Sequence, residues 1–391
     1  MFKAQRNILR LRAQFRRARM KVIAFYLPQY HRTKENDEWW GEGFTEWTSM
    51  KKAKSLYKDH YQPRIPLGGN YYDLSDIKTM KWQAGIAKEH GIYGFCVYHY
   101  WFEGKQLLQK PMENYLADKS IHFPYCFCWA NETWTNAWAA DSKNPKVLMK
   151  QTYGNKAAWK KHFEYLLPFF NDERYIKTDN KPLFVIYRPE QIEPLNEMLD
   201  YFNKMAVRNG FAGIEFASQQ KDFHLNRNDD SRFSYKIEYQ PDLAQYDIKS
   251  WHEKKIDSIK DMILTFMQKH MGRSIRKVKN LTIQDYDKVW NAILKNNPKD
   301  SKMLPGAFVD WDNTPRYGKK GKVIQGATPQ KFYHYMKKQI IHAREDYKKD
   351  MLFLFAWNEW AEGGYMEPDQ KYGYKYLEAL RKALEETNEF M

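Results

Sequence analysis

The chain has 391 residues, 43% hydrophobic and 29% charged, which allows a sizeable core and excludes global disorder. With 16 Pro and 19 Gly it is neither collagen-like nor of low complexity, and its longest apolar runs, such as Met351–Trp357, fall far short of the roughly 20 residues that span a bilayer. The net charge of +16 is concentrated: residues 1–20 hold seven basic residues and no acid, residues 249–302 hold 13 basic and six acidic, and the rest is nearly neutral.

Residues 1–20 form a basic extension without the apolar h-region of a secretory signal, so the chain is expected to be cytoplasmic. Within it Ile8, Leu11 and Phe15 share one helical face among arginines, a pattern that can lie peripherally on the anionic inner face of the cell membrane. A solvated tail is the alternative. The body, residues 21–391, alternates short apolar runs with longer helical patterns. The expected strands are Val22–Leu27, Tyr93–His99, Pro124–Trp129, Leu183–Tyr187, Ile214–Ser218, Tyr235–Tyr239, Gly306–Asp310 and Leu352–Trp357. Between them, Ser75 would cap a helix over Asp76–His90, and Asn155–Phe170 is a second helix. Glu190–Asn209 would stop at Gly210, Thr328 with Pro329 would open a helix to about Tyr347, and Gly373–Thr387 is the last.

Eight such units predict an α/β fold, a single-domain (β/α)8 TIM barrel. Its first loop, Pro28–Asp73, is long, and residues 249–302 form an insertion after strand six. The insertion reads as helical, with Ile256, Ile259, Ile263 and Phe266 as one stripe and Val289, Trp290, Ile293 and Leu294 as another. No G-x-G-x-x-G follows the first strand and no P-loop motif occurs, so no nucleotide cofactor is expected. Cys96, Cys126 and Cys128 lie in apolar runs and read as reduced, structural thiols.

Barrel active sites stand at the C-terminal ends of the strands. Those ends carry Tyr26, Gln29 and His31; Tyr98, His99, Tyr100 and Trp101; Trp129, Asn131 and Glu132; Tyr187 and Arg188; and Glu238. The last two strands supply Asp310 and Asp312, then Trp357, Asn358 and Trp360, and the first loop adds Trp40, Glu46 and Trp47. Tyr239, Trp311 and Asn313 stand at the same ends without an assigned role. Aromatic faces stack on sugar C–H groups while carboxylates, amides and imidazoles bind hydroxyls, so this is the composition of a saccharide site. Glycosidic cleavage needs two carboxyl groups, and Glu359 and Glu362, three apart among tryptophans, are the catalytic candidates. Burial and mutual repulsion are expected to drive their pKa values apart. A solvated glutamate pair at a helix start is the competing reading. His31 and His99 lack any H-x-x-x-H or H-E-x-x-H context, and no metal is expected. Neither is nucleic acid, because the charge lies in two segments rather than along one aromatic groove.

Several long motifs carry a resemblance. Phe25-Tyr26-Leu27-Pro28-Gln29-Tyr30-His31, Asn36-Asp37-Glu38-Trp39-Trp40-Gly41 and Gly43-Phe44-Thr45-Glu46-Trp47 are similar to the WbsX family of surface-polysaccharide proteins. So are Gly94–Phe102, Cys128–Glu132, Lys181-Pro182-Leu183, Trp311–Arg316 and Ala356–Gly363. The resemblance implies a domain like that of glycoside hydrolase family 99, whose members cleave α-mannosides internally with retention through a 1,2-anhydro sugar. On that likeness Glu359 would be the base at the sugar 2-OH and Glu362 the acid/base at the glycosidic oxygen. The implied partner is an oligo- or polysaccharide of O-antigen or capsule, with no cofactor. The family's name keeps open a glycosyltransferase that uses an activated sugar donor.

Overall fold

A computed structural model describes residues 18–136, 146–220, 230–249, 253, 255 and 280–391. Its centre is a barrel of eight parallel strands: β1 (Lys21–Tyr26), β2 (Ile92–Phe102), β3 (Tyr125–Trp129), β4 (Lys181–Ile186), β5 (Glu215–Gln220), β6 (Tyr235–Glu238), β7 (Met303–Leu304 with Gly306–Phe308) and β8 (Met351–Phe355). Each of β1 to β6 pairs with the next, and β1 pairs with β8. Closure occurs at Pro305. Before it, Met303–Leu304 pairs with β6; after it, Gly306–Phe308 pairs with β8. Proline has no N–H to give to a ladder, and its carbonyl instead accepts from the Phe353 amide at 3.1 Å. Gly306 sits so close to β6 that a Cβ there would lie 1.8 Å from the Glu238 carbonyl oxygen.

The first loop contains α1 (Lys34–Trp40) and α2 (Glu46–Lys52). Next come α3 (Ile77–Glu89), α4 (Lys110–Ala117), α5 (Lys156–Asn171), α6 (Leu195–Arg208), α7 (Asp242–Asp247) and α8 (Tyr286–Lys295). A short α9 (Thr314–Tyr317) follows β7, and α10 (Pro329–Glu345) and α11 (Lys375–Glu386) complete the chain.

Most helices match the sequence pattern, with two corrections. Asp76, not Ser75, caps α3, its carboxylate accepting from the Lys78 amide at 2.9 Å, while the Ser75 amide is turned back to Asp73. Helix α6 begins at Leu195 rather than Glu190 because Pro194 occupies its cap, and a residue before proline is driven out of the helical region. Thr328 caps α10 as expected, accepting from the Lys331 amide at 3.2 Å. Strand β2 runs on past His99 into a hairpin with Lys105–Leu107.

The Val289, Trp290, Ile293 stripe lies on α8 and is buried against the barrel, with Trp290 stacked on Tyr335 at 5.4 Å. The Ile256–Phe266 stripe and the Ile8, Leu11, Phe15 face fall outside the described residues. Cys96, Cys126 and Cys128 are buried free thiols, Cys96 in register with Cys126. Burial pushes the Cys96 thiol well above its usual range, which leaves it inert. Among the described residues no helix is long and apolar enough to cross a membrane.

Candidate active site at the mouth of the barrel

After β8 the chain folds into a small hairpin in which Asn358–Glu359 pairs antiparallel with Gly364–Tyr365 around a turn at Trp360–Glu362. Asn358 anchors it to the end of β1, its amide accepting from the Leu27 N–H at 2.7 Å and donating to the Leu27 carbonyl at 3.0 Å. The Tyr30 hydroxyl donates to the Asn358 carbonyl at 2.6 Å and accepts from the Trp360 amide at 3.2 Å. Trp360 itself turns away, stacked on Tyr365 at 3.8 Å with its indole N–H on Glu367 at 2.6 Å. Gly363 closes the turn at φ 70°, and a Cβ there would meet the Asp312 amide at 2.7 Å. This framework presents Glu359 and Glu362 to a cavity of about 470 Å³ at the C-terminal mouth of the barrel.

The cavity is also lined by Gln29, Trp40, Glu46, Tyr98, Tyr100, Glu132 and Tyr187 from the expected set. Strand alternation decides membership. Tyr98 and Tyr100 point inward, whereas the intervening His99 and the following Trp101 point out against α5. There His99 meets His162 at 2.9 Å, Trp101 stacks on His162 at 4.6 Å, and the Trp129 indole donates to the Trp101 carbonyl at 3.2 Å. Burial lowers the His99 pKa to about 3, so the ring is neutral. By the same alternation Tyr26 points outward and donates to Gln83 at 2.7 Å.

Other expected ligands are supports. His31 is buried, and burial lowers its pKa. Trp47 donates to the Tyr72 carbonyl at 2.8 Å and packs on Trp360, and Trp357 packs on Phe95. Asn131 clasps both the amide and the carbonyl of Arg188 at 2.8 Å, and Arg188 pairs with Glu132 at 2.9 Å at the rim. Glu238 faces away from the cavity, accepting from Tyr347 and Asn296 at 2.7 Å each, and burial raises its pKa to about 7.

Asp310 and Asp312 stand behind the hairpin. Arg64 pairs with Asp310 at 2.8 Å and Asp312 at 3.9 Å and donates to the Gly363 carbonyl at 3.1 Å. His60 takes the Leu56 amide on Nδ1 at 3.0 Å, so its Nε2–H donates to Asp312 at 2.9 Å. Gln62 and the Thr314 hydroxyl complete the shell at 2.7 and 2.6 Å. Burial pulls the Asp312 pKa upward but His60, Arg64, Thr314 and Gln62 outweigh it, and the net shift is down. For Asp310, burial outweighs Arg64 and the shift is up.

Arg316 on α9 is a charged cavity residue that residue-type reasoning missed. Its Nη1 lies 2.7 Å from Glu362, and its Nη2 lies 3.0 Å from Glu46 and 3.8 Å from Glu359. Burial opposes its charge, but Glu46, Glu362 and Glu359 together hold its pKa well above the ordinary arginine value. A guanidinium among the carboxylates offsets the mutual repulsion expected to separate Glu359 from Glu362. The sequence signal was its place at the end of the Trp311–Arg316 motif. Tyr239, Asp242, Trp311, Asn313, Tyr317, Asn36, Phe44, Thr133 and Trp134 also line the cavity. Among the described residues no group of three or more His, Cys, Asp or Glu is placed to hold a metal ion.

Below the hairpin, Glu367 accepts from Trp360 at 2.6 Å, Tyr72 at 2.8 Å and Gln83 at 2.6 Å. Burial raises its pKa to about 7 against those hydrogen bonds. A carboxyl whose folded pKa is raised contributes stability that is complete below its unfolded pKa and lost as pH rises through the folded value. Wild-type protein is therefore expected to lose Tm between about pH 4.5 and 7 relative to Glu367→Gln, whose side chain does not titrate. Thermal melts across that range check this; parallel Tm curves for the two proteins would refute it.

Comparison with known proteins follows this geometry. A family model described as Glycosyltransferase WbsX matches residues 22–380. Two curated relatives, each the uncharacterised protein WxcX of Xanthomonas campestris pv. campestris, are 32% identical over 369 and 370 residues. The matches cover 93% of this chain and 49% of each relative, so the chain spans about half the length of the curated relatives it matches. Among solved structures, the GH99 endo-α-mannosidase of Bacteroides thetaiotaomicron superimposes with TM-score 0.54 at 14% identity, covering 94% of this chain and 97% of that one. Its complex with bis-tris propane gives 0.52 at 15% identity, with 94% and 96% covered. These likenesses establish the barrel fold.

Proposed function

The chain belongs to the WbsX glycosyltransferase family of carbohydrate-active enzymes, and from that premise we propose a glycosidase-type endo-cleavage or transglycosylation of an α-mannoside-like surface glycan. The observation that carries this reading is the placement of Glu359 and Glu362 together in an aromatic-walled cavity at the barrel mouth. Tyr98, Tyr100 and Trp134 line the cavity as an aromatic wall for a sugar, and the two carboxylates supply proton transfer. Glu359 takes the proton of the sugar 2-OH as that oxygen closes on the anomeric carbon, and Glu362 gives its proton to the departing glycosidic oxygen. Opening of the 1,2-anhydro sugar by water or a sugar hydroxyl reverses both transfers, so hydrolysis and transglycosylation share one machinery. The setting we infer is O-antigen or capsule metabolism at the cytoplasmic face of the membrane, with residues 1–20 on anionic lipid.

The family description supports a second reading, a glycosyltransferase that draws on an activated sugar donor. One product assay separates the two. Purified protein is incubated with the host's surface polysaccharide, with and without nucleotide sugars, and products are read by mass spectrometry. Shortened or rearranged chains without any nucleotide sugar are the expected result. Elongation only when an activated sugar is added would overturn the glycosidase reading in favour of the transferase.

A further inference from the structure

We propose that Arg316 is a positioning residue that governs when Glu362 carries a proton, and that Glu46 is the counter-anchor that lets it do so. The inference rests on the reading of Glu362 as the acid/base. A charge-assisted bond of 2.7 Å from Arg316 Nη1 favours the Glu362 carboxylate over the acid. Clamped in this way, Glu362 is in the wrong form to protonate a leaving oxygen.

The same guanidinium offers a way out. Its Nη2 donates at 3.0 Å to Glu46, buried at the first turn of α2, and lies 3.8 Å from Glu359. Three carboxylates thus share one cation, and charge withdrawn from Glu362 is taken up by the other two. A small shift of Arg316 toward Glu46 weakens its hold on Glu362 without leaving the guanidinium alone in the protein.

Among the described residues, Tyr239, Asp242, Arg64 and Glu359 are the other titratable or charged groups around Glu362, and Asp242 is a carboxyl with no cation to offer. Tyr239, after β6, acts on Glu362 electrostatically, but burial first and the nearby Tyr98 and Tyr187 next push its hydroxyl pKa up, so it stays neutral. Arg64, behind Gly363, is engaged by Asp310 and the Gly363 carbonyl, with Asp312 beside it. Glu359, on the same hairpin, lies 3.8 Å from Arg316 Nη2, and as the carboxylate base of the proposed reaction it works in the same direction as Glu46. Because Glu46 belongs to the first loop and Arg316 to the loop after β7, the docking of α2 becomes part of the proton inventory of the site.

The test reads the Glu362 carboxyl directly, by carbon-detected NMR titration of the 391-residue chain labelled in glutamate, the signal being assigned by its loss in Glu362→Gln. Arg316→Gln is expected to raise the Glu362 midpoint by about one to three pH units. Glu46→Gln is expected to lower it, because the guanidinium then rests on Glu362, and Arg316→Lys, which keeps a cation, should stay nearer to wild type. In the product assay the alkaline limb of the rate should move the same way: up in Arg316→Gln and down in Glu46→Gln. Should Arg316→Gln fail to fold, the Glu46→Gln and Arg316→Lys titrations decide alone. A Glu362 midpoint that ignores these substitutions overturns the proposal even if the wild type cleaves glycan. Midpoints that move as expected in a protein that releases no fragments uphold the clamp and remove the glycosidase reading instead.

Discussion

Glu359→Gln and Glu362→Gln are each expected to lower fragment release from the host glycan by about 10²–10⁴-fold, equivalent to about 3–5 kcal/mol of transition-state stabilisation. Glutamine keeps the size and shape of the side chain, so the hairpin should survive: its backbone is fixed by Asn358 on Leu27 and Tyr30 on Asn358, not by the two carboxylates. The affinity for glycan should change little, because the aromatic wall of Tyr98, Tyr100 and Trp134 is untouched. The double variant should be scarcely worse than either single one, since residues that act in one proton circuit are non-additive. Fragment yields under saturating glycan, compared across the three variants, measure this. A loss of less than tenfold in both single variants would show that the pair is not the machinery and that other groups carry the cleavage.

The barrel was legible because its strands are short, continuous and apolar, separated by longer helical patterns. Some β/α units announce themselves locally, as Thr328 does at its cap. Less visible was which side chain at a strand end enters the cavity. Tyr98, His99, Tyr100 and Trp101 read alike by residue type, yet only the two tyrosines line the site, and a strict period of two along β2 would have separated them. Asn131 and Asn358 read as hydroxyl binders but act as backbone clasps, and that role depends on Arg188 and Leu27, which are remote in sequence. Arg316 is the hardest case. Its partner Glu46 lies 270 residues away, and no local pattern reports an ion pair made by closing the barrel. The pairing of β7 with two different neighbours on either side of Pro305 was invisible for the same reason.

Arg64→Met is expected to destabilise the protein by about 3–5 kcal/mol, the usual cost of removing one partner from a buried ion pair. Arg64 is buried with Asp310 at 2.8 Å and Asp312 at 3.9 Å, and it also holds the Gly363 carbonyl at 3.1 Å. Methionine fills much of the space of the arginine stem but leaves two buried aspartates without the guanidinium and an acceptor without its donor. The effect should not be equal on the two acids. Asp312 keeps His60, Gln62 and Thr314, so Asp310, whose pKa burial already raises despite Arg64, should bear most of the penalty. Adding Asp310→Asn to Arg64→Met should therefore recover stability, because it removes the stranded charge, whereas Asp310→Asn alone should cost stability by weakening the pair. Denaturant midpoints of the four proteins test this as a double-mutant cycle. If Arg64→Met costs under about 1 kcal/mol, or the second substitution deepens the loss, Arg64 and its two aspartates do not hold the glutamate hairpin by charge. Because Gly363 follows Glu362 directly, glycan cleavage in Arg64→Met should fall at temperatures where the fold is still intact.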